Sequence, residues 1–417
     1  MTAALLARGY SELQSLPDIH VPLIGNRWAV GIFFLVHIVF GSFTMGTIFL
    51  SPTYQLVGRR RADARFWRYA RNLAEVNIRI FSIGATFAGF AVIFLTALYP
   101  RFFIPLIEMF FWPALIAFLA WIPAIAALYL YVHKWDSLGA THPHLHLALG
   151  YYAAGFEHLF LVMIVGIDSY LLTPGRGHGM SAFFNASYFP ELLHRFVGNI
   201  SWASFFIAGI SAIRASSARE AVDRVYHAWA TRVSMVVGFL TLVVQAVIGF
   251  FFAEAIRQAS PGAFTYSVSG RFAWLWIVQG ALLAVLLVGS NVYFQQTRPS
   301  ASGRLITGAV VALSLVEVAP SAVYPRALFW VRYLVLGCTL VLSVAHFLAW
   351  RRGAAREDTE VGRAPRTTMA VVAFSALTIF LLMGIIRTTA RGEFTVYGKQ
   401  TESQSYGLYS PPAGHYP

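Results

Sequence analysis

The sequence predicts an all-α, polytopic integral membrane protein of about ten transmembrane helices in two bundles, with both termini outside. Three observations carry this. Of 417 residues, 58% are hydrophobic and only 12% are charged, against roughly 25% charged in soluble domains. The mean hydropathy of +0.63 means more apolar surface than one soluble core can hide, so lipid must cover it. The apolar runs are separated by short loops that alternate in charge.

Most of these runs exceed the ~20 residues needed to cross the hydrocarbon layer. Spans 1 to 4 are expected at 29–52, 78–98, 107–132 and 147–172. Spans 5 to 10 are expected at 191–213, 232–253, 272–293, 304–322, 328–350 and 369–388. Span 8 is the weakest, since it contains Glu317 and ends at Pro320. Loop 53–77 holds six arginines from Arg59 to Arg71, loop 214–231 has Arg214, Arg219 and Arg224, and loop 351–368 has five more from Arg351 to Arg366. Loops 99–106, 173–190, 254–271 and 323–327 are poor in basic residues. The positive-inside rule then places the arginine-rich loops in the cytoplasm and both termini on the periplasmic side of a bacterial inner membrane. An outer segment 1–28, a first bundle 29–172, a second bundle 191–392 and a polar tail 393–417 follow from this order.

The net charge of +13 reflects topology and does not indicate a nucleic-acid partner. Cys338 is the single cysteine and no CxxCH occurs. That excludes disulfides, iron–sulfur clusters and covalently attached haem within this chain. The start of the chain lacks the pattern of a signal peptide.

Ionisable residues inside a bilayer are costly and mark function by default. His37 lies in the apolar helix WAVGIFFLVHIVFGSFTMG, toward the outside, with Gly41 and Gly46 following on nearly the same face. A lone histidine beside small residues suits an axial haem ligand. The alternative is a buried histidine bonded to a neighbouring carbonyl. His194 opens span 5, after Pro190 and Glu191, with Arg195 beside it and Gly198 one turn on. It is a ligand or a capping histidine. His158, near the middle of span 4 beside Glu157, is a haem ligand, a proton-relay station or an interhelical hydrogen bond. His346 fits the interface better than a ligand site. His133, His142, His144 and His146 lie in a loop and are expected to be solvated. Arg332 and Arg391 fall at the level of His37 and His194, where they pair with carboxylates such as haem propionates or snorkel to the interface. Glu75, Glu108, Glu157 and Glu317 are candidate stations for protons.

The order of these motifs resembles subunit I of cytochrome bd-type oxidases over about residues 25–252 and 327–398. NRWAVGIFFLVHIVFGSFTMG is similar to the first span of that family, whose histidine ligates a haem of the oxygen-reducing pair. The resemblance implies that role for His37. Phe66-Trp67, SIGATFAG at 82–89, Trp135-Asp136 and Thr173-Pro174 stand where the family has its basic loop, second span and the ends of its third and fourth spans. ELLHRFVGNISWASFFIAGISA is similar to the fifth span, which implies that His194 holds the low-spin haem. FWVRYLVLGC at 329–338 is similar to a late Phe-Arg span, and IIRTTARGEFTVYG at 385–398 to the family's closing Gly-Arg-Gln-Pro-Trp segment. The latter places Arg391 at a propionate-binding arginine.

The departures are specific. Leu334 stands where the family has the methionine ligand of the low-spin haem, and Thr388 near its late glutamate. Ile116 and Ala124 replace two glutamates of the third span. The long quinol-binding loop is missing; spans 7 and 8 occupy its place, and the family's last span has no counterpart. The expectation is therefore a haem-binding subunit of a respiratory electron-transfer complex, terminal oxidase-like but without the usual quinol site. The resemblance implies two or more haems b, with a haem d-type or other high-spin haem as a further expectation. Expected partners are other membrane subunits, lipid, and a cytochrome c or other haem protein on the outer side. The alternatives are a haem-free quinone-interacting anchor and, third, a proton-coupled transporter.

Overall fold

The computed structural model describes residues 19–175, 179–269, 272–318, 331–352 and 361–401. Most of the outer segment 1–28 and of the tail 393–417, and loop 323–327, lie outside these residues. Among the described residues, ten helices are long and apolar enough to cross a membrane. They are Gly25–Arg61, Ala64–Leu98, Phe111–His133, Pro143–Tyr170 and Tyr188–Ser217 for spans 1 to 5. Spans 6 to 10 are Ala221–Ala259, Ala273–Thr297, Ala301–Val318, Val331–Arg352 and Arg363–Ala390. The all-α class and the expected span count both hold.

The helices differ from the apolar runs at their ends. Loop 53–77 is almost entirely helical: span 1 continues to Arg61 and span 2 begins at Ala64. Arginine, alanine, leucine and glutamate are strong helix formers, so the helix persists past the hydrocarbon boundary. Only Ala62 and Asp63 turn the chain. Ala62 adopts a left-handed conformation, and the extended Asp63 accepts the Arg65 backbone N–H as an N-cap. Span 1 is interrupted at Ile48–Phe49, where Pro52 has no N–H to give to the Ile48 carbonyl. Span 3 begins at Phe111 and not at 107, with Pro113 in its first turn, where a missing N–H leaves no helical bond unmade. A separate helix Pro100–Met109 precedes it.

The chain forms two compact units, discontinuous in sequence. The first comprises residues 1–196, 248–266 and 387–417, and the second residues 197–247 and 267–386.

In the first unit, spans 1 to 4 pack through close backbone approach, as membrane helices do where small residues line the interface. A Cβ on Gly84 would lie 2.9 Å from the Phe40 Cβ, and one on Gly150 would lie 2.8 Å from Tyr131 and 2.9 Å from Pro52. Glycine at these two positions lets span 2 press on span 1, and span 4 press on spans 1 and 3. A short antiparallel hairpin, Phe394–Val396 with Gln400–Thr401, closes the unit. The Tyr397 N–H donates to the Leu171 carbonyl, and Gln400 donates to the Arg101 carbonyl.

The second unit has an aromatic interior. Phe239, Phe294, Phe347 and Trp350 meet at centroid separations of 5.1–6.0 Å, and Trp202 stacks on Phe380 at 4.9 Å. Outside these interiors, large apolar side chains such as Ile93, Phe118, Val341 and Phe374 are exposed, as a lipid-facing surface requires.

Candidate functional site

His37 is the most completely specified candidate. Its Nδ1 lies 3.0 Å from the Gly84 carbonyl oxygen. A carbonyl only accepts, so the proton sits on Nδ1 and the Nε2 lone pair is left for another partner. This contact exists because Gly84 allows span 2 to approach span 1. Beside the ring, a Cβ built on Gly41 meets no atom within 4 Å except His37 Cε1 and Nε2. A fixed tautomer and an open neighbouring face are what a metal-ligating histidine needs. The residues therefore fit a flat macrocycle ligated at Nε2.

His194 is placed differently. Its ring packs against Phe252, with centroids 5.4 Å apart, and against Gly249, where a Cβ would lie 3.3 Å from Cε1. Its Nδ1 is buried without a hydrogen-bond partner. The nitrogen type fits haem, but no acceptor fixes the tautomer as Gly84 does for His37. His158 donates Nδ1–H to the Ala154 carbonyl at 2.7 Å, one turn back in its own helix. Its ring lies between Phe49 and Phe196.

Next to His194 lies a charged cluster that joins the ends of spans 4, 5 and 10. Arg387 donates to the Asp168 carboxylate and to its backbone carbonyl, and lies 3.4 Å from Glu191. Arg195 bonds the other Asp168 oxygen and donates Nε–H to Glu191 at 2.9 Å. Two acids face two arginines, and the buried Glu191 is thereby paired within a partly buried cluster. Arg391, one turn beyond Arg387, donates to the Thr395 carbonyl at 2.6 Å. Asp168 was not among the sequence-predicted residues; the signal that could have found it is that span 4 holds two acids, Asp168 and Glu157, while its partner is 219 residues away.

The other predicted residues separate clearly. In the second unit, Arg332 donates Nε–H and Nη2–H to the Glu317 backbone carbonyl at 3.2 and 2.9 Å, capping the end of span 8. Glu157 and Glu317 are buried, each with Oε2 unpartnered. Glu75 lies in a half-exposed ion-pair ladder with Arg71, which also grips Asp136 at 2.8 Å, and Glu108 is exposed. His346 is buried with Nδ1 2.9 Å from Asn291 Oδ1, and its Nε2 abuts Gly303, where a Cβ would lie 2.8 Å away. That leaves His346 no room for a ligand. Of the loop histidines, His133, His142 and His144 are exposed, but His146 is fully buried. Among the described residues, no group of three metal-ligating side chains occurs.

The family model for cytochrome bd terminal oxidase subunit I matches residues 26–266, more than half of the chain. The chain belongs to that family. The match spans His37, His158 and His194 together with their helices. A solved structure, the bd oxidase from Geobacillus thermodenitrificans, superposes with a TM-score of 0.56 at 13% identity, covering 88% of this chain and 97% of that chain. At that identity the likeness is one of fold. No curated protein sequence matches the chain. This subunit I family member is thus a multi-pass membrane protein of a respiratory oxidase complex, in which other membrane subunits take part.

Proposed function

We propose that this subunit binds b-type haem at His37 and His194 and passes electrons through it near the outer leaflet, with oxygen as a terminal acceptor. The observation that carries the proposal is His37: its Nδ1–H is held by the Gly84 carbonyl, and its Nε2 faces the open side of Gly41. Haem supplies one-electron chemistry when bound, and a haem d-type or other high-spin group is the expected variant where one axial position is open.

The chain's own residues do the rest. The Gly84 carbonyl keeps the His37 ring in one tautomer and orientation. The Asp168–Arg387 and Arg195–Glu191 pairs hold span ends around His194. Arg391 is the arginine proposed to face a propionate, and Arg332 is a second arginine proposed for that role. His158 is kept as a third ligand position, since its Nδ1 is likewise committed and its Nε2 is not. Span 6 ends at Ala259 and span 7 begins at Ala273, so no long quinol-binding loop lies between them. That supports electron entry from a cytochrome c or another haem protein on the outer side.

A reduced-minus-oxidised visible spectrum of the purified protein tests this reading. Haem bands are expected, with His37→Ala and His194→Ala each removing a separable one. A flat spectrum would overturn haem binding; full spectra in both variants would overturn the ligand assignment.

A further inference from the structure

The arginine-rich end of the first unit holds more cations than its acids can pair. Asp63 is taken by Arg65, through both the guanidinium and the backbone N–H. Arg71 holds Asp136 at 2.8 Å and Glu75 at 3.1 Å. Arg61 lies over the Phe66 ring, 5.8 Å from its centroid. Arg59, Arg60 and Lys134 have no ion pair among the described residues. Arg60 and Lys134 are exposed and can reach water by snorkelling. Arg59 does not: the residue is half-buried, and its Nη1 is fully buried with no hydrogen-bond partner. A guanidinium keeps its charge and only donates, so a buried, unpartnered Nη1 calls for an anion.

Arg59 stands where spans 1 and 4 meet. It is the charged group that faces His146, whose Nδ1 lies 2.8 Å from Gln55 Nε2, one turn before Arg59. On the neighbouring face, Thr53 Oγ1 lies 3.3 Å from the Tyr151 hydroxyl. The two helices run antiparallel, so this contact sets their register. Seven residues along each helix, Arg60 reaches the depth of His144. Four residues the other way, Phe49 reaches the depth of Gly155. Steps of four and seven keep each set on one helix face.

These residues line a seam that is open along its length. His144 and Gly155 are exposed and Phe49 is 41% exposed. A Cβ built on Gly155 would meet no atom within 4 Å. From Arg60 to Phe49 the seam runs about 16 Å at the helical rise, roughly half the thickness of the hydrocarbon layer. It is basic at Arg59, Arg60 and His144 and apolar at Phe49 and Gly155. Span 4 also begins at the basic end, and its N-cap His142 makes no side-chain cap bond. The helix N-terminus therefore adds to the positive field.

We propose that an anionic phospholipid binds this seam, its phosphate between Arg59 and Arg60 and one acyl chain lying along span 1 toward Phe49. A free anion would satisfy Arg59 and make no use of the apolar stretch. A zwitterionic lipid would bring its own cation to an end already rich in cations, so net negative charge is selected. The site does not depend on the haem reading.

Native mass spectrometry of the full-length protein, delipidated in detergent and titrated with phosphatidylglycerol, tests this. One phosphatidylglycerol should bind ahead of the rest, while phosphatidylcholine and inorganic phosphate leave that position empty at the same concentration. Arg59→Gln should weaken the first binding step about tenfold, and Arg60→Gln several-fold. Gly155→Leu fills the apolar end and keeps every charge, so it should weaken the lipid too, and it serves if Arg59→Gln does not fold. Arg352→Gln, at an exposed arginine of the second unit, should leave the step unchanged. Equal binding of phosphatidylcholine, displacement of the lipid by inorganic phosphate, unchanged binding in Arg59→Gln or Gly155→Leu, or an equal loss in Arg352→Gln would each overturn the site.

Discussion

The histidines differ in how their second ring nitrogen is held, and that difference has measurable consequences. His37 depends on a backbone carbonyl whose position is set by the contact between Gly84 and Phe40. Gly84→Ala must push the two spans apart, and overpacking of this kind costs about 1–3 kcal/mol. We expect a lower melting temperature and a broadened or weakened band in the reduced spectrum, the same band that His37→Ala removes. His194 lacks such an acceptor and is pressed by Gly249, so Gly249→Ala should perturb only the other band. The charge cluster makes a second prediction. Asp168→Ala strands Arg387 and Arg195 with one remaining acid; the pairs are partly buried, so unpairing them costs up to about 3 kcal/mol, the low end for a fully buried pair. The double variant Asp168→Ala/Arg387→Met removes the stranded charge and should melt above the single variant. Thermal unfolding in detergent would check the order; a double variant no more stable than Asp168→Ala alone would show that the Asp168–Arg387 charges are not coupled.

Among the elements, the turn between spans 1 and 2 is made by two residues, and Asp63 caps the 35-residue helix that follows. The Arg65 side-chain hydrogen bond holds the Asp63 carboxyl below its ordinary range, and the Arg65 backbone N–H adds to this. A carboxyl depressed in the folded state stabilises it above the unfolded pKa, near about 4, and that contribution is lost as pH falls through the folded value. Asp63→Ala should therefore cost about 1 kcal/mol at neutral pH and progressively less on acidification, read from melting curves at several pH values. The Asp63 cap illustrates what the sequence made legible. The spans were readable because mean hydropathy over some twenty residues is a local property. Their ends were not, because helix-forming arginine-rich segments extend past the bilayer with no change of period. His37 and His194 stood out as single ionisable groups on apolar helices. The partners that define them did not: Gly84 is 47 residues from His37, and Gln55 is 91 residues from His146. The pattern HPHLH looked uniformly solvated, yet the chain turns one of its three histidines inward, because a helix from Pro143 points position 146 at Tyr131 and Gln55.

At the scale of the whole molecule, family membership fixes a respiratory oxidase subunit, while the arrangement of loops argues for a particular sidedness. The arginines of 59–71, 214–224 and 351–366 all fall on one side when ten spans are threaded in alternation. The charge bias of short loops orients such a chain, so both termini are predicted to be periplasmic. Cys338 is the only cysteine, and a Cys338→Ser background makes the test clean. In that background Glu393→Cys should react with a membrane-impermeant maleimide in intact spheroplasts, and Arg60→Cys only after the membrane is opened; both positions are exposed. The outcome bears on the chemistry as well as the topology. If Arg60→Cys reacted first, His37 would lie toward the cytoplasm, and the proposed electron donor on the outer side would be far from it. The predicted labelling order instead places His37 toward the periplasmic face, the side from which the proposed outer donor would deliver electrons.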